Sequence, residues 1–346
     1  MTFKFMVRHT LAWASLFGLM SCGSAFVGDD PANTPGNNFE LLWLEYDRWF
    51  ANFGHKNIDW QAQHDIYRPQ VTSATTDEEL WEIITNMMSE LKDPHSQLRW
   101  PDHKYFDSGD ADFKAAQDLH DLDLVSTFLT NKGISEDRQF YYGKAADNIG
   151  YFYITDFAES RDGDVIGVLE ALGDIDGLII DIRSSEGGSG DLAHEIASVF
   201  IDQRRFGISS QTRNGPGHED FSPLVDWYME PHSDYHFLKP IVLLTNRASL
   251  SASDDFALML AELPHVTLMG DNTSGAMSST SFIRFLPNGW QFLISHRRTF
   301  NSAGLNLEGI GIEPDIYVPA TREELDNGED KVLEAAIELL QENLSQ

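Results

Sequence analysis

Two turns in the second half of the sequence carry residues suited to acyl-transfer chemistry. In the first, the apolar run Leu178–Ile182 leads into Gly187 and Gly188 and then into a helical pattern. Glycines at such a turn let the backbone approach a ligand and aim N–H groups at developing negative charge. In the second, an apolar run leads through small residues to Ser251 at the start of a helix, where the helix dipole favours an alkoxide.

Each turn taken alone also fits a purely structural interpretation. A glycine-rich turn can simply connect a strand to a helix, and serine is a routine helix cap. The first turn is not a P-loop, because no Gly-Lys-Ser/Thr ending follows it. Ser249, Ser251 and Ser253 crowd the second turn, so sequence position does not by itself select a nucleophile.

The elements that must position these turns alternate between strand and helix, which predicts an α/β layered domain. The predicted strands are Phe140–Tyr142, Ile149–Ile154, Leu178–Ile182, Ile241–Leu244, Val266–Met269, Phe282–Phe285 and Gln291–Ser295. The predicted helices are Val165–Leu172, Leu192–Ile201, Ala252–Leu263 and a final helix over Asp330–Glu342.

An amphipathic helical region precedes this domain. Aromatic and leucine residues recur at helical spacing from Phe39 to Phe53, and Thr76-x-x-Glu79 is a capping box that opens a further helix. We therefore expect a small helical domain over 39–106, a linker over 107–137, a core domain over 138–322 and a C-terminal helix over 323–346.

Four motifs in this order resemble the core of the C-terminal processing peptidases and their tricorn-core relatives, over roughly residues 145–320. The motifs are Asp181-Ile-Arg183-Ser-Ser-Glu-Gly187-Gly188, Ser251-Ala-Ser-Asp254, Gly270-Asp-Asn-Thr273-Ser-Gly275 and Gly311-Ile-Glu-Pro314-Asp315. The resemblance implies a ClpP/crotonase-like α/β fold and a serine peptidase acting on extended peptides or protein C-terminal tails. It implies no cofactor.

The departures from the family pattern concern the general base. Processing peptidases carry a lysine where this chain has Ala276, Ser185 replaces an asparagine, and 107–143 is too short for a PDZ domain. Tricorn-like members use a histidine and a glutamate instead, which match His95 and Glu308. The resemblance thus implies Ser251 as nucleophile, His95 as base and Glu308 as the acid that orients it. Oxyanion donors would be the N–H groups of Gly187 or Gly188 and of Ala252.

Alternatives stay open at this point. His296 is the rival base, while His194 fits a packed or solvent-facing helix residue. The fold could serve a ligand- or peptide-binding lipoprotein without turnover, or an esterase, although no Gly-x-Ser-x-Gly elbow is present. If His95 is the base, we expect activity to rise between about pH 6 and 8, where an ordinary histidine titrates.

Composition argues against two kinds of ligand, and the N-terminus indicates the compartment. A net charge of −31 argues against nucleic acid as a partner, and a single Cys with no His-Glu-x-x-His motif argues against a metal site. Basic residues, an apolar run and Leu19-Met20-Ser21-Cys22 resemble a bacterial lipoprotein signal. We expect a signal peptide over 1–21, lipidated Cys22, a tether over 22–38 and an outer-membrane location facing the periplasm; oligomeric state is not specified.

Overall fold

Helices dominate the first ninety described residues, and strands alternate with helices in most of the remainder. The computed structural model describes residues 31–109, 111–116, 119–159, 164–279 and 283–345. The helices are α1 (Pro35–Trp49), α2 (Phe53–Lys56), α3 (Trp60–Tyr67), α4 (Asp77–Met88), α5 (Ala111–Ala116), α6 (Leu122–Thr127), α7 (Val165–Leu172), α8 (Gly190–Ser198), α9 (Ala252–Ala261), α10 (Arg322–Asp326) and α11 (Lys331–Leu344). The strands are β1 (Gln97–Trp100), β2 (Lys104–Asp107), β3 (Thr130–Ile134), β4 (Phe140–Ala146), β5 (Ile149–Ile154), β6 (Gly177–Asp181), β7 (Arg205–Thr212), β8 (Val225–Met229), β9 (Ile241–Thr245), β10 (Val266–Gly270), β11 (Arg284–Phe285), β12 (Gln291–Leu293), β13 (Arg297–Phe300) and β14 (Ile316–Tyr317).

A seven-stranded sheet in the order β14-β10-β9-β6-β5-β4-β3 forms the centre of the core. From β5 through β6, β9 and β10 to β14 neighbouring strands run parallel, whereas β3 and β4 are antiparallel additions. Strands β5, β6 and β9 are buried along their whole length, which explains their continuous apolar sequences. The predicted α/β layered domain is therefore confirmed.

Helices cover both faces of this sheet. On one face α7, α8 and α9 pack against Leu178 and Ile180 of β6. On the other face α6 and α11 pack against Ile179. Because side chains of a strand alternate between faces, one short apolar run thus contributes to two separate cores. The carboxyl ends of β6 and β9 come together, and the turns that carry the glycines and Ser251 follow these two ends.

The N-terminal helices form a second hydrophobic core that the main domain completes. Trp43 and Trp60 exchange hydrogen bonds from each indole N–H to the other's carbonyl oxygen, both at 3.1 Å. The Thr76–Glu79 capping box is present at the start of α4. Trp290 and Phe292, from the far end of the sequence, are buried in the same cluster.

A shared sheet joins the two parts of the chain. Strands β1 and β2 lie in a four-stranded sheet with the order β11-β12-β1-β2, in which Leu98 pairs with Phe292.

The segments expected to be irregular contain regular elements. The segment expected as a linker, 107–137, contains α5, α6 and β3, and α1 starts at Pro35, inside the expected tether. A small sheet of β13, β7 and β8 was not anticipated from the sequence. Over the described ranges, no helix has the length and apolar character needed to cross a membrane; Cys22 and the expected signal peptide lie outside them.

Candidate active site

The turn between β9 and α9 presents Ser251 in a left-handed backbone conformation. Its φ is 62°, which residues with a side chain rarely adopt and which is typical of functional sites. The hydroxyls of the two neighbouring serines are occupied: Ser249 donates to the Ile182 carbonyl oxygen at 2.8 Å, and Ser253 donates to that of Ser185 at 3.1 Å. Both are buried, whereas Ser251 is partly exposed. Ser251 is therefore the serine of this turn that can meet a substrate.

The glycine turn lies directly against the serine turn. A Cβ atom added to Gly187 would lie 2.3 Å from the Leu250 carbonyl oxygen, 2.8 Å from Ser251 Cβ and 2.9 Å from the Ala252 nitrogen. Gly187 also has a φ of 77°. Any side chain here would displace the serine turn, so the approach of these two backbones requires glycine.

Backbone N–H groups of the glycine turn and the serine turn are left without an acceptor. Gly188 packs on Phe157, whose N–H donates to the Gly187 carbonyl oxygen at 2.7 Å and whose carbonyl oxygen accepts from Ser189 at 2.6 Å. Within the described ranges, the N–H groups of Gly187, Gly188 and Ala252 have no acceptor. Donors of this kind beside a nucleophile can bind the oxyanion of a tetrahedral intermediate.

The Asp254 carboxylate connects the serine turn to the segment around Ala276, where processing peptidases carry a lysine. It accepts hydrogen bonds from the N–H groups of Ser251 at 2.9 Å, Gly275 at 2.9 Å and Ala276 at 3.1 Å. Burial raises the pKa of Asp254 to about 7 although these bonds favour the charged form. The position at which processing peptidases carry a lysine is occupied by the buried Ala276, so this position supplies no base.

His95 lies in the loop between α4 and β1. Asp93, which is fully buried, accepts from the His95 N–H at 2.9 Å and from the Ser96 hydroxyl at 3.2 Å, and so holds the loop. Burial lowers the pKa of His95 below its ordinary value, which keeps the imidazole neutral and able to accept a proton. The charges that act on it include those of Asp255 and Arg297.

The charge of Asp255 indicates that His95 lies near α9, the helix that begins after Ser251. Asp255 lies one helical turn after Ser251 on α9, and its carboxylate is 3.2 Å from Arg297 Nη2. Nδ1 of His95 is buried without a hydrogen-bond partner in the described part of the chain. No hydrogen bond joins His95 to Ser251 or Glu308 among the described side chains. Catalytic hydrogen bonds are often open in a ligand-free site and tighten when substrate binds.

Glu308 is held by the segment after Ala276 and by a lysine from the N-terminal region. Its Oε2 accepts from the N–H groups of Met277 and Ser278, both at 2.9 Å, and its Oε1 is 3.4 Å from Lys56 Nζ. Burial raises the pKa of Glu308 to about 7; Lys56 acts to lower the pKa, and Asp93 acts to raise it. The acid therefore shares its surroundings with the His95 loop through Asp93.

The other two candidate histidines differ in their contacts. His296 Nδ1 donates to the Ser279 carbonyl oxygen at 2.8 Å, and the charges acting on it are those of Arg297 and Arg284. His194 on α8 is close to Asp255, and burial lowers its pKa. A histidine base needs only one free ring nitrogen, so this bond does not decide between the two. His95 is favoured because the charges acting on it include those of Asp93 and Asp255, whereas those acting on His296 are both positive and disfavour an imidazolium.

Sequence reasoning missed several charged residues of this site. Lys56 lies just after the aromatic and leucine pattern that ends at Phe53, and no spacing or motif singled it out. Arg297 and Asp255 form their ion pair between elements 42 positions apart. Asp330, which binds Arg183 at 2.8 Å and so ties α11 to the glycine turn, was also missed. Such partners carry no local signal because only folding brings them together.

Two family models match the chain. The model of peptidase family S41 matches residues 148–318, and the model of the Tricorn protease C1 domain matches residues 31–89. A solved structure from Parabacteroides merdae ATCC 43184, provisionally assigned as a peptidase, is 32% identical with a TM-score of 0.81, and the match covers 89% of this chain and 96% of that one. The chain belongs to peptidase family S41, a family of serine-type peptidases. The predicted family and the α/β core behind a helical N-terminal region are confirmed.

Curated relatives are longer than the matched region. The carboxy-terminal processing protease CtpB of Bacillus subtilis (strain 168) is 31% identical over 130 residues, which is 37% of this chain and 25% of CtpB. The carboxy-terminal-processing protease of Bartonella bacilliformis is 26% identical over 192 residues, which is 54% of this chain and 42% of the relative. The matched part thus spans between a quarter and about two fifths of these relatives' length.

Proposed function

We propose that this protein hydrolyses peptide bonds through an acyl-enzyme formed on Ser251. The observation that carries the proposal is the placement of Ser251 at a positive φ, beside the unused N–H groups of Gly187 and Ala252. A nucleophile and oxyanion donors held in fixed positions are what acyl transfer requires.

The chemistry proceeds in two balanced steps. Ser251 Oγ attacks the peptide carbonyl carbon while His95 takes the hydroxyl proton, and the carbonyl oxygen becomes an oxyanion bound by N–H groups. The intermediate expels the amine, which receives the proton from His95. Water then attacks the acyl-enzyme with His95 again as base, releasing the carboxylic acid and restoring Ser251.

The negative charges of Glu308 and Asp93 support the charged state of the base. Asp93 acts on His95 to raise its pKa, and Glu308 lies in the same buried surroundings. Carboxylates near an imidazole stabilise the imidazolium that forms in the transition state. We assign Glu308 the role of the acid that orients and supports His95, which the family resemblance implies, with its ionised form as the active one.

The substrates we propose are extended peptides, including protein C-terminal tails. The relatives named as carboxy-terminal processing proteases support this choice. An extended peptide can bind by adding a strand beside the active-site sheet, with its backbone making the hydrogen bonds. Cleavage of one peptide with a free and with an amidated C-terminus tests the preference for tails: equal rates for the two would contradict it.

Labelling with a fluorophosphonate tests the nucleophile directly. We expect one adduct, located at Ser251 by peptide mass spectrometry, and no adduct in Ser251→Ala. Ser253→Ala is the matched control and should label, because the Ser253 hydroxyl is buried against Ser185. An unlabelled wild-type protein that still binds peptides would instead support a binding function without turnover.

We also propose that the protein is exported and anchored by lipid on Cys22, in the outer membrane facing the periplasm. The support is the order of basic residues, apolar run and Leu-Met-Ser-Cys at the N-terminus, followed by Gly23. Mass spectrometry of the mature N-terminus should find a diacylated Cys22. An unmodified terminus downstream of Cys22 would contradict the proposal.

A further inference from the structure

Residues 52–56, which comprise Asn52 and helix α2, make three polar contacts with the segments that hold Glu308. Asn52, which is fully buried, donates to the Ser278 hydroxyl oxygen at 2.7 Å. His55 Nε2 donates to the Glu308 carbonyl oxygen at 2.9 Å, and Lys56 Nζ is 3.4 Å from Glu308 Oε1. The N-terminal region thus contacts the backbone and the carboxylate of this acid.

Lys56 is itself held in position. Its ammonium group donates to the carbonyl oxygens of Lys92 at 2.8 Å and Leu91 at 3.3 Å, at the end of the helical stretch before His95. The Lys56 side chain is 11% exposed and that of Glu308 is 2% exposed. A lysine that bridges the His95 loop and a buried carboxylate has little freedom to leave.

Glu308 Oε1 depends on this lysine. The oxygen is buried and has no hydrogen-bond partner in the described part of the chain, so Lys56 supplies its compensating charge. A buried carboxylate without a cation takes up a proton instead of staying charged. The protonated acid would give the His95 imidazolium no charge support.

We propose that Lys56 is a positioning residue of the catalytic site, which keeps Glu308 ionised and in place so that the acid can support His95. The inference rests on the peptidase function proposed above. It also means that the N-terminal region completes the active site, because the core contains no cation within 4 Å of Glu308 among the described residues.

The pH response follows from the groups that face Glu308. These are Lys56, the carboxylates of Asp93 and Asp254, and the His55 ring on its carbonyl oxygen. The pKa of Glu308 is about 7 with Lys56 present, and Lys56 acts to lower it. Removing the lysine therefore moves the ionisation of Glu308 to higher pH, and the active form is lost at neutral pH.

The test measures the rate of fluorophosphonate labelling at Ser251 against pH in the full-length protein. We expect Lys56→Met to slow labelling at pH 7 by about tenfold or more, with partial recovery above pH 8 and a midpoint shifted upward. Lys56→Arg keeps the charge and should stay within about threefold of wild type. Lys92→Met is the matched control, since the Lys92 side chain is exposed and only its backbone contacts Lys56; it should stay within about twofold.

A second readout does not depend on turnover. In a double-mutant cycle of unfolding at pH 8, Lys56→Met should destabilise the wild-type background clearly more than the Glu308→Gln background. Two results would overturn the inference. One is that Lys56→Met slows labelling equally at every pH and leaves the midpoint of the pH profile unchanged. The other is that Lys56→Met costs the same free energy of unfolding in both backgrounds. If the protein is labelled with the expected profile yet cleaves no peptide, the proposed substrate class fails and the role of Lys56 stands.

Discussion

The proposed nucleophile side and the proposed acid–base side of this site are built in different ways. Ser251, Gly187 and Ala252 lie in two turns that follow the ends of adjacent strands of one sheet, β6 and β9. His95, Glu308 and Lys56 come from three distant segments, and they meet where the helical region packs on the core. The first side depends on local turn geometry, whereas the second depends on docking. Damage to the N-terminal region should therefore affect the base and the acid more than the nucleophile.

The largest effects are expected at the reacting groups. Ser251→Ala and His95→Ala should each lower kcat/KM by about a thousandfold or more, and the double variant should fall little further, because both residues act in one step. Peptide hydrolysis measures the effect, with circular dichroism and thermal melts as the folding check. If His95→Ala keeps near-wild-type rates while His296→Ala abolishes them, His296 is the base. Full activity in Ser251→Ala would end the nucleophilic proposal.

An intermediate effect is expected at the acid. Glu308→Gln should lower kcat/KM by roughly tenfold to a hundredfold, since the variant keeps the shape but not the charge that supports the imidazolium. Burial lowers the pKa of His95 and raises the pKa of Glu308 to about 7, so we expect loss of the proton from Glu308 to contribute to the rise in activity near pH 7. The rise should therefore be smaller in the variant. A pH profile of kcat/KM with an unchanged rise in Glu308→Gln would assign it to another group.

The same substitution should increase stability at alkaline pH. The pKa of Glu308 is raised from its ordinary 4.5 to about 7, so the folded state binds the extra proton and wild-type stability falls as pH rises through that range. Glutamine removes this loss, while Lys56 loses its partner and offsets part of the gain. We expect Glu308→Gln to be more stable than wild type by about 1 kcal/mol at pH 8. Urea unfolding at pH 5 and pH 8 checks this, and a greater advantage at pH 5 than at pH 8 would contradict it.

The smallest effects are expected at the two neighbouring candidates. Ser253→Ala loses a buried hydrogen bond to Ser185 and should cost about 1 kcal/mol of stability while retaining activity within about fivefold. His296→Ala should also stay within about fivefold, because the charges acting on the ring are those of Arg297 and Arg284, which disfavour the imidazolium that a base must form. Unfolding and peptide hydrolysis of both variants sharpen the distinction between residues that support the turn and residues that react.

The sequence alone determined the parts of this protein that depend on neighbours along the chain. Strand β5 and helix α7 have the predicted bounds, because periodicity and capping are local properties. The four motifs identified the family, and the order of strand, turn and helix placed Gly187 and Ser251 at their turns. The roles of Ser251, His95 and Glu308 in the reaction stay predictions.

Only the tertiary structure decided which charges face one another. Nothing in the local sequence connects Lys56 with Glu308, which are 252 positions apart by number and 3.4 Å apart in space. The burial that raises the pKa of Glu308 and lowers that of His95 likewise depends on the packed environment of each group. The physical reason is that electrostatic and desolvation energies depend on distance and burial in the fold, while sequence patterns report mainly spacing along one element.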